Sequence, residues 1–296
     1  FSTDTINVGT KIYGQTFTKV GVHDSIFETL QTAIGCDSVV MHKVVVKPDP
    51  TKLNYYVKMN KENDGDGRDW DNAMSGEDFA TYLPLAPEGA TFYVAEGTYK
   101  PIYDANLNVP DDSYDLCYTI KNNVTIRGGY SDKATGTNVV NEPDKYQTIF
   151  DGDIEGNDVI DETLDEDGYP NLKRSKGEEN VKCLFNVGFI GGQTNAKNVT
   201  LDGVVCQNAV QYVLCSYNST SLDLVNVVLD KNSGINAIYQ FEDVNIRNSL
   251  MFQNFVNNEF LLSSGKNINI TNTTFESNIC SGFSSFIGIP ENNVYD

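Results

Sequence analysis

The chain is short of cations, histidine and long apolar runs, and each shortage removes a class of function. Its 296 residues hold 21 Lys+Arg against 41 Asp+Glu, a formal charge of −20. Phosphate backbones are gripped by clustered cations, so nucleic acid is excluded as a partner, and docking on anionic lipid with it. The two histidines, His23 and His42, both fall in the first fifty residues. Neither has a second ligand-type neighbour at metal spacing, which makes them surface or strand-face residues. No run approaches the ~18 apolar residues of a membrane-spanning helix. The opening Phe1-Ser2-Thr3 carries no basic or apolar signal region, so any export signal lies outside these residues. The six cysteines, Cys36, Cys117, Cys183, Cys206, Cys215 and Cys280, form no Cys-x-x-Cys pair. Free buried thiols are expected, with a Cys206–Cys215 bridge only if the fold brings that pair together.

What is present points to an all-β protein with a sizeable core: 40% of residues are hydrophobic and 11% aromatic. Residues 1–50 carry four Lys and five Asp+Glu, leaving −19 of the charge to residues 51–296. Lys47-Pro48-Asp49-Pro50 divides them and reads as an extended linker, because proline restricts both itself and the residue before it. Residues 1–50 are therefore a small β module, with an alternating Thr16–Val20 and a β-branched run, Val39–Val46. Within it, Ile26 to Val40 resembles a short repeat of large Bacteroidota surface proteins, carried by Gly35-Cys36-Asp37-Ser38-Val39-Val40. The resemblance implies a stalk-like module outside the cell. It also makes Thr5, Ser25 and Ser38 candidate O-glycosylation acceptors, each following Asp and preceding an aliphatic residue. The same tripeptides serve equally well as a turn and a strand start.

Residues 51–296 contain a repeat. Segments beginning at Val199, Leu222, Val244 and Ile268 alternate apolar and polar residues, and their starts lie 23, 22 and 24 residues apart. Each reaches an Asn nine or ten residues on, at Asn208, Asn232, Asn254 and Asn278, and three have Asn after the first strand, at Asn226, Asn248 and Asn272. Short strands at this period, with Asn at recurrent bends, are what a right-handed parallel β-helix requires. Asn tolerates left-handed backbone, and stacked Asn side chains can bond one another. Ser75 with Glu77 and Asp78 predicts a short helix that covers the N-terminal end of the stack. At the other end, the residues up to Asp296 offer no capping helix. Those residues fold over the last coil, more chain follows, or two copies meet there.

Four further segments carry a second resemblance: Trp70-Asp71-Asn72-Ala73, Phe92 to Pro101, Val124-Thr125-Ile126-Arg127-Gly128-Gly129-Tyr130 and Thr148 to Ile154. In order and spacing they are similar to bacterial surface proteins with a pectin-lyase-like right-handed β-helix, related to polymorphic outer-membrane-protein repeats. The likeness spans residues 55–280 and implies an adhesin, outside the cell or on the outer-membrane surface. The later coils lack that family's Gly-Gly turns.

Candidate chemistry concentrates in Asp151–Asp167, which holds nine Asp+Glu and no Lys or Arg. Asp151, Asp153, Glu155 and Glu162, with Gly156 between, match the ligand spacing of an EF-hand Ca²⁺ loop, although no helices flank them. The alternative is a solvated acidic loop. Residues Asn63–Asp69 form a weaker acidic turn. Enzymes of the β-helix class cluster carboxylates with Arg, Lys or His on one face. Here no histidine follows residue 42, and Arg127 and Arg247 stand isolated. The sequons at Asn123, Asn198, Asn218 and Asn272 read as corner chemistry. The tyrosines of the first half, with Trp70, leave glycan stacking open beside plain burial. The expected function is a non-catalytic platform for glycans or surface proteins. A polysaccharide lyase or glycoside hydrolase, Ca²⁺-dependent in one version, is the rival, and a ligand-free stalk the third reading.

Overall fold

A computed structural model describes residues 2–31, 37–59, 65–161, 163, 173–175, 177–191, 194–217, 220–256, 261–280 and 287–288. The regular elements of the described chain are nearly all strands, and most of their pairing is parallel. The longest sheet runs in the order 54–57, 90–95, 124–130, 198–202, 221–225, 238–247 and 262–271. The four repeat starts pair in register: Val199 with Leu222, Leu222 with Val244, Val244 with Ile268. Alternation therefore propagates as rows. Tyr55, Phe92, Ile126, Leu201, Leu224, Ile246 and Ile270 form an inward row, and Asn54, Thr91, Thr125, Thr200, Asp223, Asn245 and Asn269 the outward row beside it. At ~4.8 Å per strand the outward row is about 29 Å long.

Two more inward rows close the core. Tyr99, Phe150, Cys206, Leu229, Met251 and Phe275 align on the second sheet. Tyr118, Phe185, Leu214, Ile238, Leu262 and Ile287 align on the other arm of the longest sheet, which turns through the strands Ile238–Arg247 and Leu262–Thr271. All three rows join one apolar cluster. The helix Gly76–Tyr82 lies where the sequence predicts it, with the Ser75 hydroxyl accepting from the Asp78 N–H at 3.0 Å. It inserts Phe79 against Phe92, Tyr118 and Phe150 at the end of that cluster.

The corners explain the asparagines, with one change of register. Asn226, Asn248 and Asn272 adopt positive φ, of 53°, 51° and 48°, and Gly203 holds the equivalent bend at 67°. At the next corner the left-handed residue is Asn208, Lys231, Gln253 or Ser277, and the following position carries the buried ladder. Asn208 thus aligns with Lys231, not Asn232, and Ala209 heads the ladder. The Ala209 N–H donates to Asn232 Oδ1 at 3.0 Å. Asn232 Nδ2 donates to Asn254 Oδ1 at 2.9 Å, and Asn254 Nδ2 to Asn278 Oδ1 at 2.8 Å. Each Nδ2 also donates backward to a strand carbonyl, of Cys206, Leu229 or Met251.

Elsewhere local expectations shift. Residues 17–20 are not a strand. Gly21, at φ 133°, instead opens the strand Gly21–Gln31, which pairs antiparallel with Asp37–Lys47. Ser2–Asn7 joins the other edge of Asp37–Lys47 in parallel, and Phe17, Val44 and Val46 form a small core. Gly35 and Cys36 of the surface-repeat resemblance lie outside the described residues. The linker is a turn and not extended: Asp49 Oδ1 accepts from the Thr51 N–H at 2.8 Å and the Lys52 N–H reaches the Asp49 carbonyl. Residues 281–286 and 289–296, on which the end-capping and second-copy expectations fall, are outside the described residues.

The cysteine pairing is also corrected. Cys183 and Cys215 form a disulfide, with Cα atoms 6.8 Å apart. Cys206 cannot reach Cys215, because Cys206 points into the main core while Cys215 belongs to a separate cluster with Cys183 and Tyr212. Cys117 and Cys206 are free and buried, as expected. Burial pushes the Cys117 thiol up to about 11 and raises Cys206 further. The Cys36 residue and the Cys280 side chain are not described.

Two outcomes follow. Asn254→Ala strands the Leu229 carbonyl and removes the acceptor for Asn232, which predicts a loss of about 3 kcal/mol. A melting temperature lowered by roughly 6–12 °C is the readout. Peptide mapping without reductant is expected to recover Cys183 linked to Cys215, with Cys117 and Cys206 resisting alkylation until denaturant is added. Labelling of either in native buffer would contradict their burial.

Candidate functional site

A groove of about 750 Å³ runs along the left-handed corner beside the longest sheet. Asn226, Asn248 and Asn272 line it, with Thr148 and Thr274, and Pro143 and Asp144 form part of its wall. The amides are tied along the stack: Asn272 Nδ2 donates to Asn248 Oδ1 at 2.9 Å, and Asn226 Nδ2 to Asp202 Oδ1 at 3.1 Å. An Nδ2 carries two N–H groups, and each of these bonds uses one. The corner's glycines let chain segments meet closely. A Cβ on Gly129, at φ 85°, would stand 2.8 Å from the Pro143 nitrogen.

Next to the groove lies a second outward row, Tyr56, Tyr93, Arg127, Asp202, Val225, Arg247 and Thr271. Its first part is covered. Trp70 is fully buried against Tyr56 and Tyr130, and Tyr130 packs edge-on to Tyr93. Burial pushes the Tyr130 hydroxyl up to about 12. Arg127 is not isolated, since its Nε lies 2.8 Å from Asp202 Oδ2, a residue 75 positions away in sequence but adjacent in the stack. Arg247 stands three strands after Arg127 in the same row, exposed. The neighbouring row is bonded across strands: Asn245 Nδ2 donates to Asp223 Oδ1 at 2.9 Å, and Asn269 Nδ2 to Asn245 Oδ1 at 2.8 Å.

The first-half tyrosines are largely packing residues, Tyr55, Tyr99 and Tyr118 being at most 1% exposed. The more accessible aromatic cluster is one that sequence reading passed over. Phe189 contacts Tyr212, Tyr217 and Tyr239, the last two rings at 5.2 and 5.3 Å, and Tyr217 is exposed. Its members come from three separate segments, so no local motif announces it.

The Ca²⁺-loop residues take separate roles. Asp151 is buried and accepts from Asn208 Nδ2 at 2.8 Å and Gln207 Nε2 at 2.9 Å in the next repeat. Glu155 is exposed and accepts from Asn157 Nδ2 at 2.8 Å. Glu162 lies outside the described residues. Asp153 organises the turn, its carboxylate accepting N–H groups of Gly156, Asn157 and Asp158 at 2.6, 3.2 and 3.0 Å. Among the described members it alone is drawn into a carboxylate group, with Asp158 and Glu179, whose ligand oxygens lie within 4.8 Å of one another. Spacing could not find Glu179, 26 residues from Asp153 across an excursion.

In the N-terminal module Thr5, Ser25 and Ser38 are all exposed. Thr5 sits within a strand, Ser25 in a bulge at φ 61°, and Ser38 at a strand start. His42 is buried, stacked on Tyr13 at 3.7 Å with Nδ1 2.6 Å from the Ser2 hydroxyl, and His23 faces the Lys19 carbonyl at 2.8 Å. Of the sequon residues, Asn123 Oδ1 accepts the N–H groups of Lys197 and Asn198, Asn272 holds a corner, and Asn218 lies outside the described residues. Among the described residues no helix is long and apolar enough to cross a membrane. No protein-family model, no curated protein and no solved structure matches the chain.

Proposed function

We propose that residues 51–296 form a right-handed parallel β-helix, and that the protein is a non-catalytic binding platform. It is an adhesin of the Bacteroidota surface-protein kind, displayed outside the cell or on an outer membrane. The observation that carries this reading is the corner groove, lined by three amides that repeat at the strand spacing. A binding site built from such a repeat suits an extended polymer, because equivalent donors recur along the axis while the stacked strands hold them rigid. The charge of −20 disfavours acidic polymers, so a neutral or amino-sugar glycan fits best. The lyase or hydrolase reading has one feature in its favour, the Arg127–Asp202 pair on the adjoining row. An arginine already bonded to a carboxylate is a poor proton acceptor, which leaves binding ahead of chemistry.

The test is a glycan array probed with the full chain, followed by titration of whatever is retained. Asn248→Gly with Asn272→Gly removes two groove amides while keeping the left-handed corner free of steric strain. Retention of a neutral extended polymer, with affinity lowered about tenfold or more in the double variant, is expected. Unsaturated or reducing sugar ends accumulating from an acidic polymer would establish the enzyme instead. Retention of nothing would leave the stalk.

A further inference from the structure

The excursion between residues 152 and 181 leaves and re-enters the stack at one place. Its base is closed by the Val181 N–H donating to the Gly152 carbonyl at 2.9 Å, and Val159–Asp161 pairs antiparallel with Lys173–Ser175 further out. On the outgoing side stand Asp153 and Asp158, and on the returning side Glu179 and Asn180. The carboxylate oxygens of Asp153, Asp158 and Glu179 converge within 4.8 Å. Three carboxylates this close need donors, protons or a cation among them; Asp153 is met by three backbone N–H groups and Asp158 by Asn180 Nδ2, donors that leave the cluster's negative charge in place.

The second observation is a set of stranded oxygens. Asn180 is fully buried, and its Nδ2 is fixed on Asp158 Oδ2 at 2.7 Å and the Asn208 carbonyl at 2.8 Å. That seats its carboxamide against the cluster, yet its Oδ1 is buried with no hydrogen-bond partner among the described residues. The same is true of Glu179 Oε1 and of Asn157 Oδ1, and the Asn157 N–H donates to Asp153. Buried oxygens without donors cost about 1–3 kcal/mol each and are rare in native proteins.

We propose that this corner binds a Ca²⁺ ion. Asp153, Asp158 and Glu179 supply carboxylates, Asn180 an amide oxygen, and the ion pins both feet of the excursion to the stack. Oxygens ~2.4 Å from one ion lie at most about 4.8 Å apart, so the observed convergence accommodates it. The donors are all oxygen, which excludes the nitrogen and sulfur preference of Zn²⁺. Their origin on separate segments suits the flexible shell of Ca²⁺ better than the strict octahedron of Mg²⁺. The set differs from the loop spacing in the sequence, since Asp151 and Glu155 are engaged elsewhere. It is also independent of what the groove binds.

The full chain would be stripped with chelator and titrated with CaCl₂ by calorimetry and by thermal melting, with MgCl₂ at matched ionic strength as control. One saturable site is expected, with a melting temperature raised by about 5 °C at a hundredfold excess over Kd. Ca²⁺ should also protect the excursion from limited proteolysis. Glu179→Gln should weaken binding tenfold or more, while Glu155→Gln, outside the cluster, should leave it unchanged. A rise reproduced by MgCl₂, or retained in Glu179→Gln, would mean diffuse counterion binding to an acidic chain and would overturn the proposal. So would identical melting in chelator and CaCl₂. Should Glu179→Gln fail to fold, the stoichiometry and Ca²⁺-over-Mg²⁺ preference of the unaltered chain decide.

Discussion

A chain that bends several times in every 22–24 residues must satisfy the backbone groups its corners withdraw from the strand ladders. The rest of the structure depends on how it does so. At the buried corner the answer is the Asn232–Asn254–Asn278 ladder. Each of the three side chains accepts at Oδ1 from the preceding repeat, and every Nδ2 in the ladder donates to a strand carbonyl. No apolar residue supplies both roles, and a buried amide with every position met is a stabilising network where a partly met one is not. Because each bond joins neighbouring repeats, the ladder also sets register. A slip of one residue would leave amides and carbonyls unpaired and turn the apolar rows outward together.

The two ends of the stack meet the same constraint with different residues. Early repeats fill the inward rows with Tyr55, Phe92, Tyr99, Phe150, Tyr118 and Phe185, around the inserted Phe79. Later repeats use mostly Leu, Ile, Val and Met, with Phe241 and Phe275 the exceptions, and Leu229 and Met251 continue the row begun by Tyr99 and Phe150. Close packing links the two choices, since rings that reach the helix at one end would overfill a section with no insertion. The left-handed corner changes alongside. Gly128-Gly129 and Gly203 serve where Pro143 and Thr148 crowd the backbone, and Asn takes over at residues 226, 248 and 272 where a side chain has room. The absence of Gly-Gly turns from the later repeats is thus a consequence of what packs against the corner.

Much of this architecture is legible in the sequence because its information is periodic. The starts at Val199, Leu222, Val244 and Ile268 pair as their spacing implies, and the helix begins at its Ser75 cap. The misreadings occur where a local pattern has two physical meanings. Asn208 looks like a ladder residue by type, but it stands nine residues after its strand start where the ladder residues stand ten, and the ninth position is the left-handed bend. Pro48-Asp49-Pro50 looks extended, yet the Asp49 carboxylate finds the Thr51 N–H and closes a turn. Cys183–Cys215 and Arg127–Asp202 were illegible for a different reason. They join residues 32 and 75 positions apart through neighbouring strands, and the segments between them vary in length outside the repeat.

That last point bears on where a stacked protein places its chemistry. Inside the regular repeats each outward position has an equivalent one strand away, so the face offers recurrence and suits ligands that recur. Unique arrangements need an interruption. Here the largest interruption, residues 152–181, brings Asp153, Asp158, Glu179 and Asn180 together from both of its feet. Its anchoring reaches back into the regular part: Asn180 Nδ2 bonds the Asn208 carbonyl, and Asn208 Nδ2 bonds Asp151 at the start of the excursion. The residue that leaves the Asn ladder by one position is therefore the residue that holds the interruption in place. The break in periodicity and the clustering of unlike residues have one cause, the need to tie an inserted segment to a stack whose own hydrogen bonds are otherwise closed.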